Sequence, residues 1–173
     1  SWTNDQGITF VKQITLDNNF LFTINQKVIN STNKNYDFYS YGQIIRKEIP
    51  DISNFYILHE GLLATLDEEL IEEDYDDIQE EKFSRTSQKG WLGISDKFWI
   101  TSLIPPSGKE FKTTFDYKDK FRANFVTTDP LELRGNSSIE DKLQVIVAAK
   151  RVDIIDGYAE SLNIDKFDLA IDW

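Results

Sequence analysis

Gly90 to Pro106, GWLGISDKFWITSLIPP, is the densest patch of large apolar side chains in the sequence, and its reading decides the fold. Phe98, Ile100 and Ile104 fall on one parity, with Trp99, Thr101 and Leu103 on the other. A period of two sends the two sets to opposite faces of a β-strand. Both faces carry bulk, which predicts a strand covered twice, at the centre of a sandwich. Gly90 and Gly93 bracket Trp91 and predict a turn or bulge ahead of that strand. Pro105 and Pro106 end it, because proline brings no N–H to a ladder.

Outward from this strand the alternation continues. Ile8, Phe10, Ile14 and Leu16 alternate with Thr9, Val11, Gln13 and Thr15, and Phe20, Phe22, Ile24 and Val28 resume the pattern. Asp17-Asn18-Asn19 between them predicts a turn and therefore a hairpin, since Asn and Asp bond their own backbone. Tyr36, Phe38, Tyr39 and Tyr41 predict a third, aromatic strand, while residues 43–48 are ambiguous. Residues 55–58 and 62–66 read as short strands around Glu60-Gly61. Ile71, Tyr75 and Ile78 are spaced for one helical face. The preferred alternative continues a strand over residues 62–70 and leaves a short helix over 74–81.

Downstream, Ser107-Gly108 predicts a hairpin turn into residues 111–117, where Phe111, Thr113, Phe115 and Tyr117 form one face. Phe121, Ala123 and Phe125 predict the next strand, and residues 129–136 a long loop. Leu143, Val145, Val147 and Ala149, with Ile146 and Ala148 opposite, predict a last interior strand. Ile155, Tyr158 and Leu162 then predict a helix over 153–162, in which Gly157 costs up to about 1 kcal/mol relative to alanine. The whole reads as one domain over 1–173, an all-β antiparallel sandwich with a short C-terminal α-helix, and 153–173 as a helix and tail.

Composition agrees. With 173 residues, 40% hydrophobic and 13% aromatic, the chain can bury one core and favours strands. Neither cysteine nor methionine occurs, so no disulfide forms, and the chain is expected to be a piece of a longer reading frame. There is no run of about 18 apolar residues to span a bilayer and no visible cleavable signal. The net charge of −11 is local: residues 67–81 hold ten acids and no base, and removing them leaves 20 acids against 19 bases. A neutral body with one acidic stripe disfavours nucleic acid as a partner.

The candidate sites are few. His59 is the sole histidine and sits beside Glu60. The pair suggests general acid–base work, but neighbours in a strand point to opposite faces, which favours a structural histidine. The acidic stripe lacks the alternating ligands and central glycine of a calcium loop, and one histidine without cysteine cannot fill a usual zinc site. Neither a G-x-S-x-G nor a G-x-G-x-x-G occurs, so no cofactor is expected. Residues 30–32 and 136–138 match the glycosylation sequon, a pattern too short to carry weight alone. Trp91 and Trp99 are candidates to line a peptide or sugar groove, with core packing as the commoner use of such residues.

Four stretches, WTNDQGITF (2–10), ITLDNNFLFTINQKVIN (14–30), FYILHEGLLATLD (55–67) and GWLGISDKFWITSLIP (90–105), together resemble the periplasmic domain of the YidC membrane protein insertase family. The closing FDLAIDW (167–173) resembles the segment that leads from this domain to the membrane core. The resemblance implies a mutarotase-like super-sandwich, here its C-terminal portion, so that a sheet edge or apolar face is left unpaired and self-association is expected. It implies a non-catalytic insertase and chaperone domain facing the periplasm of the inner membrane. It places contacts to Sec translocon accessory subunits in the region from Tyr41, Gly42 and Gln43 through the acidic stripe, itself peculiar to this sequence, with membrane-protein clients as further partners. Phe167, Leu169, Ile171 and Trp173 are expected to couple the domain to the membrane surface, where tryptophan is favoured. That tail is expected to be dispensable for folding. The fold kinship also raises a rival, a mutarotase-like carbohydrate-processing enzyme using His59, and a plain spacer stands third.

Overall fold

Residues 90–106 form two strands. The turn comes after Gly90 and Gly93, at Asp96, whose N–H bonds the Trp99 carbonyl at 2.8 Å. The glycines instead lie within the first strand, where neighbouring backbones come close. A Cβ on Gly93 would stand 2.3 Å from the Thr101 carbonyl oxygen, and one on Gly90 1.8 Å from that of Thr65. Strand-interior glycine used this way lets backbones approach.

The structure, a computed structural model, describes residues 1–49, 59–164 and 166–171. In chain order the elements are β1 (Trp2–Thr3), β2 (Ile8–Leu16), β3 (Leu21–Asn30), β4 (Tyr36–Phe38), β5 (Tyr41–Arg46), β6 (Gly61–Leu66) and β7 (Glu69–Asp74). There follow α1 (Tyr75–Glu80), β8 (Phe83–Ser87), β9 (Gly90–Ser95), β10 (Trp99–Ile104), β11 (Phe111–Tyr117), β12 (Phe121–Thr127), β13 (Leu131–Leu133) and β14 (Ser138–Ala149). The chain then runs through α2 (Val152–Ser161) and a 3-10 turn, Phe167–Ala170. An eight-stranded antiparallel sheet has the order β1-β2-β3-β14-β10-β9-β6-β7, and a four-stranded one β5-β12-β11-β8. β13 and β4 pair separately.

The period-two expectation holds where it matters. Leu62, Leu92, Leu103 and Leu143 of the large sheet meet Phe111, Phe115, Phe121 and Phe125 of the small one in a first core. Their opposite-parity neighbours Leu63, Trp91, Ile100 and Ile146 form a second core on the other face, under α2 and the 3-10 turn. From Ile100 onward β10 is therefore covered twice, as its sequence predicts. Its start is not: Phe98 is in the turn, and Trp99 is 59% exposed.

Several boundaries differ from the sequence expectation. Ser107-Gly108 leads from the large sheet to the small one instead of closing a hairpin, since β10 and β11 belong to different sheets. The predicted third strand breaks at Tyr39-Ser40 into β4 and β5, and residues 43–46, unassigned from sequence, belong to β5. The strand expected over 62–70 folds back at Asp67 and Glu68, both with positive φ (50° and 71°), to make the β6–β7 hairpin. The short helix expected over 74–81 is α1. β8 is an additional strand, and the expected loop at 129–136 contains β13. The strand expected at 55–58 lies outside the described residues.

Candidate interaction surfaces

His59 is buried at the entrance to β6. Its Nε2 lies 3.3 Å from the Leu62 carbonyl oxygen and its Nδ1 3.4 Å from an Asp74 carboxylate oxygen. A Cβ on Gly61 would meet the imidazole at 3.0 Å. The ring thus ties the start of β6 to the end of β7, a structural position. Nearby, Arg46 pairs with Asp96, donates through Nε to the Glu48 carbonyl at 2.9 Å, and lies 5.9 Å above the Tyr75 ring. Burial, ahead of neighbouring carboxylates, raises the Tyr75 phenol far above its usual range, so it remains neutral. These contacts clamp the end of the sandwich where β5, β9 and α1 meet.

A groove of about 670 Å³ lies elsewhere, lined by Val11, Gln13, Lys27, Pro106, Lys109 and Glu140 among others, and His59 is not one of them. Two ion pairs form within it, Lys27–Glu140 and Lys109–Asp141, both at 2.7 Å. An acidic cleft at Glu73, Asp77, Glu80 and Glu81 follows from the acidic stripe itself. Burial first, then Asp77, Asp74 and Glu81, raises the Glu73 carboxyl. Much of the stripe is β7, the last strand of the large sheet, whose outward charges discourage edge-to-edge pairing.

The two tryptophans singled out from sequence separate. Trp91 is fully buried in the second core, so it cannot line a groove. Trp99 is exposed on the opposite face. Tyr41 and Gln43 are exposed along β5, the edge of the small sheet, in register with Val126 and Asn124 of β12. With Ile45, which is also exposed, they make an outward row on one strand.

The C-terminal segment is part of the fold. Phe167 is fully buried and meets Trp91 edge-on, with ring centroids 5.0 Å apart. Ala170 is buried as well, while Leu169 and Ile171 are half-buried. Trp173 lies outside the described residues. Lys166, in the left-handed region (φ 53°), donates its Nζ to the Glu68 carbonyl at 2.7 Å. The Tyr158 hydroxyl donates to Asp17 Oδ2 at 2.6 Å, fastening α2 to the β2–β3 turn. Burial by itself would raise the Asp17 carboxyl, but the Tyr158 hydroxyl and the Leu21 and Asn19 amides hold it below its ordinary value. The sequence places Asp17 in a turn and Tyr158 on a helical face. No local signal joins residues 141 positions apart.

An antiparallel sandwich sealed on its outer face by a C-terminal helix and turn defines the class. The model of the YidC periplasmic domain matches residues 1–173, and the chain belongs to that family. It is 69% identical over 173 residues to the membrane protein insertase YidC of Pelagibacter ubique, covering all of this chain and 31% of that protein. The insertase YidC of Rickettsia prowazekii is 37% identical over 180 residues, and that of Rickettsia bellii 38% over 181, each covering 99% of this chain and 32% of the relative. The chain thus spans about a third of the length of these curated relatives. Nothing in these matches supports the carbohydrate-processing reading, and His59 is occupied in holding β6 to β7.

Proposed function

We propose that this chain is a non-catalytic periplasmic domain of an inner-membrane insertase, serving the insertion and folding of membrane proteins alone or with the Sec translocon. The observation that carries the reading is the buried C-terminal segment: Phe167 seals the second core against Trp91, and Tyr158 fastens α2 to the β2–β3 turn. A segment held this firmly fixes the direction in which the chain leaves the sandwich, so the body and whatever follows move together. Phe167 acts in this coupling from within the core. Leu169 and Ile171, and Trp173 beyond them, are the residues offered to the membrane side.

The exposed row of Tyr41, Gln43 and Ile45 on β5 is the surface we assign to a Sec accessory subunit, because an edge strand with apolar outward side chains suits strand-to-strand docking. Complementation of an insertase-depleted strain by the full-length protein tests the reading. His59→Gln supports growth, whereas deletion of residues 164–173 abolishes it at equal protein level. Growth of the deletion strain at the wild-type rate overturns the coupling role, and failure of His59→Gln despite a normal level of folded protein overturns the non-catalytic one. A photo-crosslinking residue at Tyr41 or Gln43 yields an adduct with a Sec accessory subunit; adducts with clients alone reassign that surface.

A further inference from the structure

The large sheet has one thinly defended edge, whose single charged side chain along Val11–Leu16 is Lys12. β2 is nine residues long, yet β1 pairs with only Thr9 and Phe10 of it, through Thr3 and Trp2. Along Val11 to Leu16, no strand among the described residues occupies the side of β2 away from β3. Ile14 and Leu16 are 57% and 54% exposed there. Such an edge offers unpaired backbone groups and apolar side chains to any strand of suitable register.

The register of the next strand is already fixed. The β1–β2 turn is pinned by Asn4, whose side-chain oxygen accepts from the Ile8 amide at 2.9 Å and whose own amide donates to the Ile8 carbonyl at 2.9 Å. Trp2 stacks on Phe10 at 5.6 Å, and the Thr3 and Thr9 hydroxyls bond at 2.8 Å. A strand entering β1 in this register must come alongside β2, one residue of approach for each residue of β2. Ser1 falls opposite Val11, and the second residue before Ser1 falls opposite Gln13. The third and fifth fall opposite Ile14 and Leu16, on the face that carries Trp2 and Phe10.

We propose that, in the full-length protein, the residues immediately preceding Ser1 continue β1 as an antiparallel strand along Val11–Leu16, with apolar side chains at the third and fifth places before Ser1. Two observations choose this occupant over a second copy or a client segment. The register directs upstream chain into the vacant edge, and the relatives are about three times the length of this chain, so family members carry further sequence outside the matched residues. The opposite edge, β7, is guarded by acids instead and needs no such partner.

Disulfide trapping in full-length protein, with any other cysteines replaced, tests the proposal. Gln13→Cys is combined with a cysteine at the second position before Ser1, and separately with one at the third, while Thr3→Cys with Thr9→Cys reports that the β1–β2 hairpin is intact. Facing cross-strand residues sit within disulfide reach and one-residue slips point away, so the in-register pair should oxidise about tenfold more completely than the off-register pair. Equal or absent crosslinking for both pairs, with the hairpin control formed, overturns the proposal. A disulfide between two molecules that both carry Gln13→Cys overturns it in favour of a second copy. If the variants do not accumulate, amide exchange on the unmodified full-length protein decides: alternate amides of Val11–Leu16 protected as strongly as those facing β3 support the strand, and unprotected ones overturn it.

Discussion

The large sheet has a sealed half and an open half. On the β10-β9-β6 side, one face is covered by the four-stranded sheet and the other by α2 and the 3-10 turn, and past Trp99 hardly any apolar side chain there is wetted. On the β1-β2-β3 side the small sheet stops short, and Trp2, Ile14 and Leu16 show large apolar area. The alternation of apolar residues is equally regular in both halves. Periodicity therefore tells which residues share a face, while the cover over that face depends on elements far away in sequence.

The largest expected contrast between the halves is energetic. Phe167→Ala should cost about 3–5 kcal/mol, the usual range for emptying a buried phenylalanine site. Leu16→Thr, in the open half, should stay within about 0.5 kcal/mol, as exposed substitutions do. Urea unfolding of the 173-residue chain checks both. Near-equal costs would dissolve the distinction. The burial of Phe167 also corrects the expectation that the tail is dispensable for folding, which treats a terminal apolar run as surface because nothing local shows its contact with Trp91.

Association is the next contrast. The open β2 edge should let the isolated chain self-associate with rising concentration, and Leu16→Lys should weaken this by placing a charge on the edge. On the guarded side, replacing Glu69 and Glu72 with valine should add association that the wild type lacks. Sedimentation across a concentration series measures both; a wild-type monomer at all concentrations would show that the β2 edge is not sticky by itself.

Smaller effects come from acid. The folded-state value of Asp17 is depressed, so its contribution to stability is present above its ordinary value of 3.8 and is lost as pH falls through the lowered folded value. Tyr158→Phe removes the main side-chain bond to Asp17 and should flatten that loss. Glu73 is shifted the other way: its ionised form is disfavoured in the fold, so stability rises as pH falls from neutral through the raised folded value towards 4.5. Glu73→Gln should therefore stabilise slightly at neutral pH and remove that rise. Thermal melts between about pH 3 and pH 7 report both signs.

Much of this architecture is legible in the residues. The β2–β3 and β11–β12 hairpins follow from alternation and turn chemistry, and Asp17 does bond the Asn19 and Leu21 amides as an Asx turn should. Even there, the positive φ falls on Phe20, which the turn residues do not announce. β8 leaves no signal in the sequence because FSRTS has too little apolar content to mark a strand; it is held by pairing with β11. The Gly90–Pro106 hairpin reads as one strand because its glycines signal turns locally and close backbone approach only in the sheet. Among the candidate surface residues, Tyr41, Gln43 and Trp99 are exposed. Trp91 and Phe167 instead pack on each other, a pairing no single sequence displays.

Hydrogen exchange of the 173-residue chain tests the sealed-and-open account most directly. The account predicts that amides of β6, β9 and β10 exchange only through global unfolding, whereas the amides of Val11–Leu16 that face away from β3 exchange orders of magnitude faster. Uniformly slow exchange along β2, equal to that of β9, would contradict it.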